Sequence, residues 1–424
     1  MPLQFIRGSI EYGLPAWFPE PWHLLKISTA VAALGLVKWY TSGARNTTER
    51  NMYGRVVMVT GGTSGIGAEV VLDLAARGAQ IILLTQLPPT DHFLVEYIDD
   101  LRAKTNNDMI YAEQVDLSSL HSIRQFATKW IDNAPPRRLD MVILCAATLT
   151  PPGKKRTETP EGVESTWMIN YLANFHLLGI LSPAIRAQPF DRDVRILMTT
   201  CSSYISSPPL KDAHVALEKK DWSPGSAYGS SKLALMTFGQ AFQKHLDAYK
   251  RPDQLPMNAR VVFVDPGLSR TPGMRRWLTR GSLWGLFVYL LFYFFSWLFL
   301  KSPTMGAQSV LFAAMSEDLG RGAGGKLIKE CMEVDLARKD VKDDEVAKKL
   351  WESTDKLIEK VEKQAAQKRA LQKKEREQQE KEDKEAEKAK EVEALVDTIK
   401  KGKQKEAQKA KARKKVQFGG KAVP

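Results

Sequence analysis

Cysteine is scarce in this 424-residue chain, which holds only Cys145, Cys201 and Cys331, widely spaced and odd in number. No CxxC pair and no cysteine–histidine spacing accompanies them. A disulfide framework and a zinc site are therefore excluded, no metal is expected, and a reducing compartment fits best. Long apolar runs are nearly as rare. The strongest, "LWGLFVYLLFYFFSWLFL" at 283–300, has 18 residues, and at about 1.5 Å per residue a helix of that length falls just short of a bilayer core of about 30 Å. A weaker run, "LLKISTAVAALGLVKWY" at 24–40, carries Lys26 and Lys38 and lies too far from the start, without a cleavage site, for a secretory signal. Membrane contact is expected from both, but length alone does not decide whether either spans.

Acidic residues fail at the end of the chain. Residues 401–424 carry nine Lys or Arg against the single Glu406, which concentrates much of the formal +13 there. Residues 338–415 are dominated by Lys, Glu, Ala and Gln, with Glu377/Lys381 and Glu380/Lys384 placed for i,i+4 pairing. The apolar residues Leu350, Leu357, Ile358, Val361 and Leu371 are too irregular for a sustained coiled-coil seam. This reads as a long solvated helix or a disordered tail. Aromatics do not interleave with its lysines, so no nucleic acid is expected, and an anionic lipid surface suits it better than RNA.

What the chain does contain, from 54 to 330, is an alternation of apolar strand-like runs ("RVVMVT", "AQIILLT", "LDMVILCAA", "VRILMTT", "ARVVFVDPG") with helix-like segments. That order predicts parallel strands joined by helical crossovers, a doubly wound α/β sheet. The first strand runs into "TGGTSGIG", where Gly61, Gly62, Gly65 and Gly67 leave the backbone bare at a helix start. Unobstructed amides there can hold a phosphate against the positive end of the helix dipole. Further along, "YGSSK" sets Tyr228 and Lys232 four apart, on one face of a helix. A cation close to a phenol favours phenolate, which suits the tyrosine to exchange a proton with an alcohol or carbonyl.

Taken in order, these motifs resemble the short-chain dehydrogenase/reductase family. The resemblance covers about 54–330, implies a Rossmann-type sheet, and rests on Thr60, Gly61, Gly65, Ile66 and Gly67 in the TGxxxGIG spacing, Asp116 in "VDL", "CAA" at 145–147, Asn170 in "MINYLANF", Tyr228 and Lys232, and "DPGLSRT". It implies a cofactor site formed by Gly61, Thr63, Ser64, Gly65, Ile66 and Gly67, with Asp116, Cys145, Tyr228, Lys232, Pro266, Gly267, Leu268 and Thr271. It further implies catalysis by Tyr228 as acid/base, Lys232 on the nicotinamide ribose, Asn170 in a proton relay, and a serine holding the substrate oxygen. In "MTTCSSYISS" Ser202 is the choice and Ser203 the next, while Thr200 or Cys201 could hold that place. Cys145 stands where the family has an asparagine, and Asp265 where many retinol dehydrogenase relatives have histidine. The second strand ends at Thr85 and Gln86, and the lack of a carboxylate to meet a ribose 2′-hydroxyl favours NADP, with NAD left open.

The plan of an apolar N-terminal segment, an apolar insertion beside the substrate lid and a charged tail is similar to fungal lipid-droplet oxidoreductases related to retinol dehydrogenases and protochlorophyllide reductase. The expected organisation is a membrane-associating segment (1–50), a catalytic domain (51–330) with the insertion 283–300, and the tail (331–424). Because "GKLI" at 325–328 must rejoin the sheet, the insertion has to return to the side it left. It is expected as a monotopic helix or hairpin with Arg275, Arg276, Arg280 and Lys301 at headgroups and Trp284, Tyr289, Tyr293 and Trp297 at the interface. The expected activity is hydride transfer between NADP(H) and a lipophilic alcohol or carbonyl resembling a retinoid, sterol or fatty aldehyde, on the cytosolic face of the endoplasmic reticulum or lipid droplets. The sequon at Asn46 should then stay unglycosylated. The alternative is a non-catalytic cofactor-fold scaffold whose basic tail binds membrane, RNA or a protein. The oligomeric state is open between a monomer and a homo-oligomer.

Overall fold

Short runs of Val, Ile, Leu and Met with few polar interruptions can be satisfied on both faces only between two layers of helix. The computed structural model, which describes residues 21–210 and 222–418, has them there. The first 20 residues of the N-terminal segment and the last six of the tail, both included in the expected organisation, lie outside the described residues. Strands β1 (Val56–Thr60), β2 (Gln80–Thr85), β3 (Ile110–Gln114), β4 (Met141–Leu144), β5 (Val194–Thr199), β6 (Ala259–Asp265) and β7 (Lys326–Lys329) are parallel. An eighth, β8 (Met332–Val334), pairs antiparallel with β7 and was not expected. The two residues of this hairpin turn, Glu330 and Cys331, have φ of 52° and 56°, which suits the tight turns that match strand twist.

The spatial order is β3-β2-β1-β4-β5-β6-β7-β8. It reverses between β1 and β4, and the crevice above their carboxyl ends is where such sheets take ligands. Helices α2 (Gly65–Ala76), α3 (His92–Thr105) and α10 (Pro303–Met315) cover one face. The other is covered by α4 (Leu120–Ile131), α5 (Ala173–Arg186) and α6 (Pro224–Asp247). The doubly wound Rossmann-type fold is therefore present.

The apolar run after β6 is broken. It forms α8 (Leu283–Leu291) and α9 (Tyr293–Phe299), following the short α7 (Pro272–Leu278), and of its residues from Leu283 to Phe299 only Leu298 is buried. Each piece is far shorter than a bilayer core, and the chain returns to pair β7 with β6 through Val262↔Lys326 and Phe263↔Leu327. Helix α1 (Pro21–Ser42) lies against α9. Lys38 Nζ donates to the carbonyls of Trp297 at 2.7 Å and Leu300 at 3.3 Å, and Thr41 Oγ1 to that of Leu298 at 2.6 Å. Among the described residues, one helical segment, Ser165–Arg186, is long and apolar enough to cross a membrane, and 72% of its apolar window is buried in the protein.

The chain divides into a compact unit that ends at Val361 and a second that begins at Glu362. Helix α11 (Asp344–Phe418) contributes to both. Sequence reading placed Leu350, Leu357, Ile358 and Val361 on a solvated helix or a disordered tail, but they are buried in the core with Val341. Their spacing of seven, eight and eleven residues from Leu350 makes one helical stripe, too short for a supercoil yet enough to dock on α5 and α6. Trp351 packs against Phe175 and Phe238, ring centres 5.2 and 5.6 Å away, and the hydroxyls of Tyr171 and Thr354 are hydrogen-bonded at 2.8 Å. The second unit is helical to Phe418, with Lys373 and Glu377 3.8 Å apart at i,i+4.

Leu350→Ala should cost about 2 to 5 kcal/mol, as fully packed leucines do, whereas Leu371→Ala, 60% exposed, should change stability by no more than about 0.5 kcal/mol. Urea denaturation of the two variants checks this, and equal effects would remove residues 344–361 from the core.

Candidate active site

Strand β1 ends at Thr60 and the chain turns at once into α2. Gly61 and Gly65 take φ of 67° and 61°, a region that side chains disfavour. Space is equally restrictive. A Cβ on Gly67 would stand 2.2 Å from the Gly61 carbonyl oxygen, and one on Gly61 2.8 Å from the Ala146 nitrogen. Ser64, at the helix start, makes no side-chain cap, unlike Asp91, Ser119, Ser223, Thr271, Ser282 and Ser302 at other helices. The bare turn and its uncapped amides fit a dinucleotide pyrophosphate, with Thr63, Ser64 and Ile66 lining the same cleft of about 2030 Å³.

The neighbouring motifs converge on this turn. The Cys145 and Ala146 amides bond to the carbonyl and hydroxyl of Thr60, each at 3.2 Å. Burial pushes the Cys145 thiol up to about 12, against the pull of Lys232. Asp116 lines the cleft beyond β3, and its carboxylate accepts from the Ser118 amide at 2.8 Å. After β6, the Gly267 amide donates to Asp265 Oδ1 at 2.9 Å, with Gly267 at φ 73° and Pro266 and Leu268 beside it in the cleft wall. Thr271 caps α7, and a Cβ on Gly65 would touch its methyl at 3.2 Å. Thus the turn after β1 and the loop after β6 meet.

Helix α6 opens with a capping box at Ser223 and Pro224 in its first turn. Tyr228 and Lys232 then share one face. The Lys232 ammonium is buried, donates to the Thr199 carbonyl at 3.0 Å and lies 5.7 Å from the Tyr228 ring centre. Burial pulls Lys232 below its ordinary value, opposed by Cys201, Cys145 and Asp265. The expected lowering of Tyr228 by Lys232 is not found. Burial drives the phenol well above its ordinary value, helped by the adjoining Cys201 and by Asp265. Asn170 sits in a π-helical turn, Met168–Leu172. Its Oδ1 accepts from the Thr148 amide at 2.8 Å, and its Nδ2 donates to the Thr148 carbonyl at 3.0 Å and to Ser231 at 3.1 Å.

The serine chosen from sequence turns another way. Ser202 Oγ donates to Asp265 Oδ2 at 2.8 Å and accepts from Lys329 at 3.2 Å. Cys201 lines the cleft beside Tyr228 and contributes to holding the phenol above its ordinary value. Lys329, at the end of β7, carried no sequence signal, because nothing local says which strand end a lysine will reach across. Lys301 is also corrected: it is 6% exposed and ion-paired with Glu330 in the cleft, not at headgroups.

Known proteins agree with this geometry. The sequence model of the short chain dehydrogenase family matches residues 55–201. An uncharacterized oxidoreductase, pbr1, of Schizosaccharomyces pombe is 46% identical over 368 residues, 86% of this chain and 97% of its own length. The chain belongs to the short-chain dehydrogenase/reductase family. This family member is related to retinol dehydrogenases, for it is 28% identical to mouse retinol dehydrogenase 13 over 78% of this chain and 92% of that protein. It is 30% identical to mouse polyprenol dehydrogenase over 70% and 82% respectively. A solved structure from Mycobacterium paratuberculosis shares the fold at TM-score 0.53 and 21% identity, covering 75% of this chain and 98% of that one. Membership makes the protein an NAD(P)-dependent oxidoreductase.

Gly67→Ala should weaken NADPH and NADH binding by about tenfold or more, since a methyl group cannot share space with the Gly61 carbonyl. Fluorescence titration beside a melting curve tests it, and unchanged affinity in a folded variant would place the dinucleotide elsewhere.

Proposed function

We propose that this protein is a membrane-associated reductase of lipophilic carbonyls that uses NADP(H). The observation that carries the reading is one cleft whose floor holds Tyr228, Lys232 and the glycine turn while its mouth is walled by Trp39, Tyr40, Trp277 and Phe299. Bound NADPH would supply the hydride that reduces the carbonyl carbon. Tyr228, kept protonated at neutral pH by its raised pKa, donates its hydroxyl proton to the carbonyl oxygen to give the alcohol. Lys232 holds the nicotinamide ribose, and Asn170 positions the loop at Thr148 and the relay that returns a proton to Tyr228. NADP is favoured because Thr85 and Gln86 at the end of β2 bring no carboxylate to repel a 2′-phosphate.

Retinol and polyprenol, named in the relatives, are both lipophilic alcohols, and the surface at the mouth suits such partners. Helices α1 and α8 expose Trp39, Tyr40, Leu283, Trp284 and Leu291 by 67 to 87%, and α9 exposes Phe295 and Phe299 by 54 and 55%. Patches of this kind mark contact with membranes or partners, and Arg275, Arg276 and Arg280 flank this one as headgroup anchors would. Substrate would enter from one leaflet of the endoplasmic reticulum membrane or from the monolayer of a lipid droplet, on the cytosolic side.

The first test is NADPH and NADH oxidation by the full chain in detergent with retinal, hexadecanal and a sterol ketone. Tyr228→Phe should lose about 100-fold or more in kcat, as general acids contribute, with cofactor affinity within a few fold. Retention of a tenth of the activity would remove the role. Replacing Leu283, Trp284 and Leu291 together by Ser should leave the melting temperature within a few degrees, since all three are exposed, and release the protein from phosphatidylcholine vesicles in co-sedimentation. Undiminished sedimentation would place the membrane contact elsewhere.

A further inference from the structure

Four side chains at the end of β5 compete to face the substrate oxygen, and their partners separate them. Thr200 is buried and its hydroxyl meets the Met236 sulfur at 3.1 Å. Ser202 has both of its hydrogen-bonding roles taken, donating to Asp265 and accepting from Lys329. Ser203 Oγ lies 2.8 Å from Cys201 Sγ. Cys201 lines the cleft together with Tyr228 and Lys232. Its backbone is extended, at φ −160° and ψ 161°, immediately before the turn Ser202–Tyr204 and two residues after β5 ends. The strand delivers its side chain, half-buried, to the cleft.

We propose that Cys201 is the second hydrogen-bond donor to the substrate carbonyl oxygen, paired with Tyr228 and oriented by Ser203. This rests on the carbonyl-reductase reading and adds a thiol in place of the expected hydroxyl. The chemical consequence follows from the weakness of a thiol as donor. Cys201 positions the oxygen and polarises it little, so the proton from Tyr228 carries most of the activation. A hydroxyl at the same place donates better. The position also puts an alkylatable sulfur where substrate must bind, in a peptide separate from those of Cys145 and Cys331, whose thiols burial raises and makes slower to alkylate.

The experiment uses the full chain in detergent with NADPH and hexadecanal as probe, or whichever carbonyl of the panel is reduced fastest. Cys201→Ala should lower kcat/KM by about tenfold or more, less than a strong oxyanion donor would, with NADPH affinity unchanged. Cys201→Ser should restore it to wild-type level or above, and Ser202→Ala should lose less than Cys201→Ala. In the wild-type protein, N-ethylmaleimide should modify Cys201, read by peptide mass spectrometry, with loss of activity. The carbonyl, added with NADP, should slow that labelling more than NADP alone does. The labelling arm keeps the proposal testable if a variant misfolds. Full activity in Cys201→Ala, or labelling at the same rate with and without the carbonyl, overturns it. If Tyr228→Phe is inactive but Cys201→Ala is not, only this inference fails. If Tyr228→Phe is active, the reductase reading fails first.

Discussion

A buried ammonium organises this site. Lys232 is 2% exposed and meets a carbonyl, that of Thr199, instead of a carboxylate. Burying a charge without an ion-pair partner is costly unless polar groups replace its water. Here they do so only in part, which is why its pKa falls. A carbonyl takes one of three ammonium hydrogens and leaves the others directed by the geometry of α6. The ends of β5 and β6, the Cys145 turn and the face of Tyr228 must all stay in register around that one group. Strand pairing supplies the register: Thr199 opposite Val264 puts the Lys232 acceptor beside Asp265.

Much of this was legible in sequence because it rests on local spacing. The glycine turn, the four-residue Tyr228–Lys232 interval and the alternation of strands and helices are each settled within a few residues, and each appears in the structure as read. The choice among Thr200, Cys201, Ser202 and Ser203 was not legible. It depends on where extended backbone gives way to a tight turn, and on Asp265 and Lys329, which reach the Ser202 hydroxyl from two other strands. Lys301 misled for the same reason. Next to an aromatic run a lysine resembles a headgroup anchor, and only the β7–β8 turn, which brings Glu330 to it, shows the buried pair. The stripe at Leu350 to Val361 was hidden by its charged surroundings and by its brevity.

Tyr228 illustrates how burial can override a neighbouring charge. A cation at four residues' distance should favour the phenolate, yet the phenol stays well above its ordinary value because its hydroxyl is drawn out of water, with Cys201 and the Asp265 charge adding to the effect. Both effects act on the same proton, and desolvation is the larger. In the proposed reaction this bias suits the acid that protonates a developing alkoxide, and makes the same group a reluctant base for oxidising an alcohol.

The polar floor also fixes the proposed entrance. Glu330, in the hairpin between β7 and β8, pairs with buried Lys301 and accepts from the Ala44 amide at 2.9 Å, just beyond α1. Burial works against the Glu330 carboxylate, but the Lys301 bond, the Ala44 amide and nearby Lys329 together pull it below its ordinary value, so it stays charged at neutral pH. Near the end of the same helix, Lys38 caps the carbonyls that end α9 and lies over the Trp297 ring, 5.3 Å from its centre. Helix α1 is thus tied at its C-terminal end to the sheet through Ala44 and to α9 through Lys38 and Thr41. Its apolar surface and that of α8 and α9 are held at one angle to the strand ends, instead of trailing on a free linker. A lipid surface meeting both would set the orientation of the cleft, and with it the path along which a lipophilic carbonyl descends to Tyr228.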